Sequence, residues 1–411
     1  MQNYNVSLVS NYKHEKIFNQ ILWQGTGLYN TCIKKTDHSS LDLRDFRYEP
    51  HPKKTYAKQL KYLQASYIDD VSDLTGSIAR NYLSTLINGH GKKCGMNQRI
   101  MQGIIAQAVD ARTRYLKGQN KKPRLKGIRN KLNSFLIQGD MRIEGKYLKI
   151  PGIEGLIKFR GNIPDGKLKQ VRIMKKASGF YACCTFDSVR NKIAVTDSKL
   201  TAMDTGLEPM IAAGTYDKSY FEEIKNPRHF EKQQKLLAQK QRGRNKNKVA
   251  RKYEQIANQR KDFNHKLSTR LAKENKIIFF SNDNYFPLMK HFGKQYSSLA
   301  LYQLSCMTEN KIKSRSDGFG LFVRVPSRNS TKECSSCHAL TGPAGRHNLS
   351  VRKWTCACGA HHDRNQNSVV NTSISGARYA LDELREQLPE IMIRQLELMV
   401  RHGAESETLV Q

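Results

Sequence analysis

Residues 331–371 read TKECSSCHALTGPAGRHNLSVRKWTCACGAHHDRNQNSVVN, and this stretch decides what kind of chain this is. Four of the nine cysteines fall in it: Cys334 and Cys337 form a CxxC, and Cys356 and Cys358 a tighter CxC. Two close thiol pairs separated by a loop suit tetrahedral zinc, because each pair sits on a tight turn and the loop lets the turns face one another. Two disulfides or four unrelated thiols are the alternatives, although nothing else in the sequence has a secreted character. The CxC is short, so His338, His361 and His362 are candidate substitute ligands; solvent or phosphate contact is the plainer expectation for them. A polar cluster, His361-His362-Asp363-Arg364-Asn365, follows the cysteines directly and has the composition of an active site.

Charge sets the next constraint. Lys and Arg number 70 against 36 Asp and Glu, a net charge of +34 spread along 411 residues. Neutralising phosphates releases counterions, so a polyanion partner is expected. The length suffices for two or three domains with a sizeable core. The start MQNYNVSLVSNYKHEK lacks the apolar centre of a signal peptide, and no apolar run approaches bilayer length. Cys32, Cys94, Cys306 and the adjacent Cys183-Cys184 fit a reducing compartment. The expectation is a soluble cytoplasmic protein of a prokaryote, nucleoid-associated and without a membrane partner.

Hydrophobic spacing predicts amphipathic helices between residues 52 and 115, and a helix near Phe18, Ile21, Leu22 and Leu28. The linker 118–134 is strongly basic, and Lys121, Lys122, Arg124 and Lys126 are candidate nucleic-acid contacts. Short alternating segments over 134–190, punctuated by Gly and Pro, predict an antiparallel barrel or sandwich completed by the N-terminal strand. A second half opens with the strand KLTAMD, which delivers Asp204 ahead of the turn at Gly206. Residues 227–275 predict two long helices joined by GRNKNK, with Arg242, Arg244, Lys246, Lys248, Arg251, Arg260 and Lys261 as further nucleic-acid candidates. KIIFF reads as a buried strand, FGLFVRV as another, and the C-terminal region as helix broken at Pro389.

The Asp204 strand, the helical hairpin containing IANQRKDFNHKLSTRLAKE, KIIFF, and the cysteine knuckle followed by His-Asp-Arg occur in the order seen in TnpB, the RNA-guided nuclease family related to type V CRISPR effectors. Residues 120–375 resemble that family well and the N-terminal part by architecture only. The resemblance implies an α+β multidomain protein. A wedge β-barrel (1–45 and 119–192) would carry a helical recognition insert (46–118). A RuvC-type, RNase H-like α/β domain (193–330 and 363–411) would be interrupted by a zinc-ribbon segment (331–362). It also implies a guide RNA and a double-stranded DNA target beside a short adjacent motif, with Lys54, Lys58 and Gln98 as candidate readers of that motif. Oligomeric state is left open.

The departures from the family pattern are specific. The strand after KIIFF places Ser281 where the family has Glu, and Asp363-Arg364-Asn365-Gln366-Asn367 places Asn365 at the third acid, so only Asp204 persists. Two-metal hydrolysis needs several carboxylates around a pair of divalent ions, and Mg²⁺ relies on anionic oxygens. The expectation is therefore structural Zn²⁺ at the four cysteines, no catalytic Mg²⁺, and no enzyme activity: a chain similar to TnpB-like nuclease-dead repressors that binds DNA under RNA guidance and represses transcription by occupancy. Two alternatives stand beside it. One is an active RNA-guided endonuclease using Asp204 with a displaced acid, for which Asp283, Asp363 and Glu208 are candidates; the other is a guide-free, zinc-dependent nucleic-acid-binding protein.

Overall fold

A computed structural model describes residues 2–35, 95–187, 192–282, 293, 296, 298–343, 348 and 350–408. The first two helices expected between 52 and 115, with Lys54, Lys58, Cys94 and Asp283, lie outside the described residues. The chain divides into two units, Met1–Arg190 and Asn191–Gln411.

The first unit is built on period-two alternation. In β5 (Ile157–Arg160), Ile157 and Phe159 are buried while Lys158 and Arg160 are exposed, so one face is committed to a core. β1 (Gln2–Val9) lies centrally, pairing antiparallel with β5 through Leu8 and Phe159 and with β7 (Gly179–Asp187) through Val6 and Ala182. β2 (Ser134–Gln138), β3 (Arg142–Glu144), β4 (Tyr147–Lys149) and β6 (Lys167–Lys176) complete a seven-stranded sheet in the order β2-β6-β7-β1-β5-β4-β3. The N-terminal strand thus joins the 134–190 strands, while β2 and β3 are the two ends of the pairing order among the described residues.

Helices α1 (Tyr12–Lys35) and α2 (Gln98–Leu116) pack with this sheet. The Phe18 ring packs tilted against Phe180, 4.9 Å between centroids, and Ile100, Ile104 and Val109 of α2 share the same core. A Cβ at residue 103 would lie 1.7 Å from the Leu136 carbonyl oxygen, so only Gly103 lets α2 come this close to β2. Helical spacing therefore places α2 in the core of the unit. Cys32 and Cys184 are also buried there, and burial pushes both thiols up to about 12.

The second unit holds a mixed five-stranded sheet in the order β10-β9-β8-β11-β12. β8 (Lys199–Thr205), β9 (Ile211–Gly214) and β10 (Phe221–Ile224) form an antiparallel meander. β11 (Asn275–Ser281) pairs parallel with both β8 and β12 (Leu321–Val325). A strand covered on both faces is apolar through its centre, and Ile277–Phe280 of β11 show it. Ile278 and Phe280 pack into one core, Ile277 and Phe279 into the other.

The first of these faces is covered by α4 (Lys246–Glu274) and α5 (Leu301–Ile312), and α3 (His229–Arg242) packs on α4 as the other arm of a helical hairpin. Gly243, left-handed Arg244 and Asn245 break the hairpin, and the Asn245 side chain caps α4 by accepting from the Lys248 N–H. The other face is covered by α6 (Arg364–Leu384) and α7 (Glu390–Thr408), which Pro389 separates. Gly376 sets the approach of α6, since a Cβ there would meet the Phe279 ring at 2.4 Å.

Candidate catalytic pocket and metal centre

Strand alternation aims the key side chains. Ala202 packs on the α6 side and Met203 on the opposite side, so Asp204, two residues after Ala202, faces α6. Its neighbour on β9 is Ala212, whose neighbour on β10 is Glu223. Asp204, Ala212 and Glu223 therefore form one lateral row under the start of α6, and the small Ala212 leaves room above it. Asn365 occupies that room, donating from Nδ2 to Glu223 Oε1 at 2.6 Å and accepting at Oδ1 from Arg352 Nη1 at 3.2 Å. Asp363 caps the helix, accepting from the N–H groups of Asn365 and Gln366. That role ties the Asp363 carboxylate to the backbone.

The three positions of the family pattern are brought to the same end of the sheet with unequal chemistry. Asp204 lines a cavity of about 410 Å³ together with Asn365, Arg352, Arg364, Glu208 and the loop residues Ser327, Ser330 and Thr331. Ser281 is fully buried; its Oγ accepts from the Thr205 N–H at 2.9 Å and lies 3.0 Å from Thr205 Oγ1, so it fastens β11 to β8. Glu208 turns its carboxylate to Arg228 at 2.7 Å. Of the displaced acids considered from sequence, Glu208 and Asp363 are thus otherwise engaged. Glu223 was missed, because its relation to Asp204 runs sideways across three strands.

The four cysteine sulfurs lie within 4.8 Å of one another and could hold a metal ion. Cys337 and Cys356 sulfurs are 3.5 Å apart, and those of Cys334 and Cys358 3.8 Å; tetrahedral Zn–S bonds would set such pairs about 3.8 Å apart. The donor set therefore suits zinc. Among the candidate histidines, His362 reaches the cluster, with Nε2 3.0 Å from Cys334 Sγ, and its ring packs tilted against Trp354. His338 bonds Glu333 and His361 bonds Thr355.

The knuckle is also tied to the pocket. Asn367 on α6 brackets Cys334, donating to the Glu333 carbonyl at 2.7 Å and accepting from the Ser335 N–H at 2.9 Å. One turn on, Asn371 donates to the carbonyls of Ser330 and Glu333. Both asparagines are buried. The strands β13 (Lys353–Thr355) and β14 (His361–Asp363) form the hairpin that leads into α6.

The other candidate nucleic-acid residues stay on surfaces. Lys121, Lys122 and Arg124 are exposed, and Lys126 is half-buried over the Tyr29 ring. Arg242, Arg244, Lys246, Lys248, Arg251 and Lys261 are exposed along the hairpin, Arg260 is half-buried, and Gln98 is exposed at the start of α2. No helix among the described residues is long and apolar enough to cross a membrane.

Comparison with known proteins shows what these parts resemble. Residues 188–279 match the OrfB_IS605 family, described as "Probable transposase". Residues 302–372 match a "Cas12f1-like, TNB domain". The segment that matches OrfB_IS605 carries Asp204, and the segment that matches the TNB domain carries the cysteines and Asn365. A protein of Streptomyces pristinaespiralis named "Putative RNA-guided DNA endonuclease" is 32% identical over 239 residues, 54% of this chain and 56% of that protein, so the chain matches little over half of the relative's length.

Two solved assemblies, a Cas12f1-sgRNA-target DNA complex and a CRISPR-Cas12f ternary complex, resemble 90% of the chain at a TM-score of 0.34, with 14% and 12% identity and 98% of each of those chains covered. At that score they decide nothing about the site.

The expectation that the chain is no enzyme is corrected here, because the relative matched is named as an endonuclease. That expectation weighed acids at the aligned positions and at their near neighbours along the chain. It overlooked the carboxylate that β10 brings beside Asn365.

Proposed function

We propose that the chain is an RNA-guided DNA endonuclease of the TnpB type. A guide RNA, held on the basic surfaces, pairs with a DNA strand next to a short adjacent motif, and the Asp204 pocket acts on the DNA backbone. The observation that carries this reading is the convergence of Asp204, Asn365 and the Ser327–Thr331 loop on one cavity, inside the two segments that match the transposase and TNB families. The net charge of +34 supports two nucleic-acid partners. The cysteine cluster would hold Zn²⁺ as a structural ion, coupling metal binding to folding of the knuckle.

The pocket is short of anionic ligands for a two-cation clamp. Asp204 and Glu223 are its two nearby carboxylates on the sheet, while Ser281 and Asn365 are neutral. Hard divalent cations bind through such oxygens, so cleavage is expected to be slow and to need a high concentration of Mg²⁺ or Mn²⁺.

The test is purified ribonucleoprotein with a matched DNA target and either cation. Cleavage that disappears in Asp204→Ala and weakens in Glu223→Gln supports the reading. Tight guide-dependent binding that leaves the DNA intact overturns it, and leaves occupancy of the target as the activity. Purification without a discrete RNA, and DNA binding unaffected by ribonuclease, would refute guidance itself.

A further inference from the structure

The pocket carries an electrostatic feature unlike that of a cation site. Arg352 immediately precedes β13 and Arg364 follows β14, and the Arg364 N–H donates to the Arg352 carbonyl at 2.7 Å. The hairpin therefore fixes two arginines side by side, and both line the Asp204 cavity. Arg352 is braced further, donating to the Glu208 carbonyl at 2.7 Å as well as to Asn365, while Arg364 donates to the Asn348 carbonyl. The Arg364 guanidinium is held below its usual value by burial and then by Arg352, with Asp204 pulling the other way. Among the acids that line the cavity, Asp204 alone faces the two crowded guanidinium groups, since Glu208 is turned to Arg228, and Glu223 lies outside the lining with its carboxylate bonded to the Asn365 amide. The hydroxyls of Ser327, Ser330 and Thr331 border the same space.

Planar guanidinium groups recognise phosphate by paired hydrogen bonds, most strongly where water is partly excluded. We propose that this pocket binds a phosphodiester of a single-stranded nucleic acid directly, through Arg352 and Arg364 and without an intervening metal ion. The inference rests on the reading that a nucleic-acid strand reaches the Asp204 pocket, and goes beyond it in assigning the arginines and in making Asp204 an opponent of binding. A cation-bridged site needs Asp204 and fails in chelator. An arginine site keeps binding in chelator and improves when Asp204 loses its charge.

The experiment measures binding of a fluorescent single-stranded deoxytrinucleotide to the full chain in excess EDTA, with a ribotrinucleotide and inorganic phosphate as competitors. Arg352→Gln and Arg364→Gln are each expected to weaken binding about tenfold, and Asp204→Asn to tighten it about three- to tenfold. Arg378→Gln, on the same helix about 21 Å further along and exposed, carries an equal charge change and is expected to leave binding unchanged. If Arg364→Gln does not fold, Arg352→Gln carries the test. Stronger competition by the ribotrinucleotide assigns the site to RNA, and weaker competition to DNA. Binding abolished by EDTA, weakened by Asp204→Asn, or reduced equally by Arg378→Gln overturns the proposal. None of these readouts uses cleavage, so an inactive chain would leave this test intact.

Discussion

Asn371→Ala removes two hydrogen bonds from the turn that carries Cys334. The Asn371 amide donates to Ser330 at 2.9 Å and to Glu333 at 2.8 Å, and the side chain is 5% exposed. The Glu333 carbonyl keeps its bond from Asn367, whereas the Ser330 carbonyl loses the amide partner. Two net hydrogen bonds together with a carbonyl deprived of that partner amount to about 2–4 kcal/mol. If this appears as easier opening of the metal turn, metal transfer to a chromophoric chelator should accelerate by about 30- to 700-fold. Zinc-loaded protein is mixed with excess chelator and the first-order release rate is read from absorbance. Asn367→Ala should act in the same direction, because its amide brackets Cys334 on both sides. Exposed Ser375 on the same helix serves as control, with Ser375→Ala leaving the rate unchanged. A change below about threefold in both asparagine variants, well under the expected range, would show that α6 does not clamp the metal turn.

Replacing Cys334 or Cys356 by Ser should lower bound zinc and destabilise the knuckle; full zinc content in both variants would remove these residues from the ligand set. Ser281→Glu with Asn365→Asp should raise divalent-cation affinity and cleavage rate by adding carboxylates to the pocket end of the sheet, and an unchanged rate would count against that site. Ser281→Glu alone should cost about 1–3 kcal/mol through overpacking, because Ser281 is fully buried and bonded to Thr205; urea unfolding reads this out. Burial works against the Glu222 carboxylate, but hydrogen bonds from Arg270 and Tyr220 hold its value below the ordinary one. Its contribution to stability is therefore present above the ordinary glutamate value and lost as pH falls through the folded-state value. Glu222→Gln should lower the melting temperature more at about pH 7 than at about pH 3, and equal shifts would refute the linkage.

Much of the second unit was legible in the sequence because its signals are local. The apolar run Ile277–Phe280 demands a strand covered on both faces, and the two thiol pairs demand facing turns. Helical periodicity and the break at Gly243–Asn245 gave the α3–α4 hairpin. Asp204, Ser281 and Asn365 were grouped by the family resemblance.

What those residues touch was settled by register and packing. Pairing through Ala212 sets Glu223 in line with Asp204 although they stand 19 positions apart in the chain, and an alignment of motifs has no access to such a lateral neighbour. In the same way, the β13–β14 hairpin alone puts Arg352 beside Arg364. Asn367 and Asn371 would read in sequence as ordinary polar residues near a helix start; only the fold shows that they hold the turn that carries Cys334. The sequence by itself determined many of the elements and the cysteine cluster, because each is encoded within a few residues. Only tertiary structure decided which charges share the pocket and how the knuckle is fastened to it, because side-chain neighbours across strands depend on register and close approach.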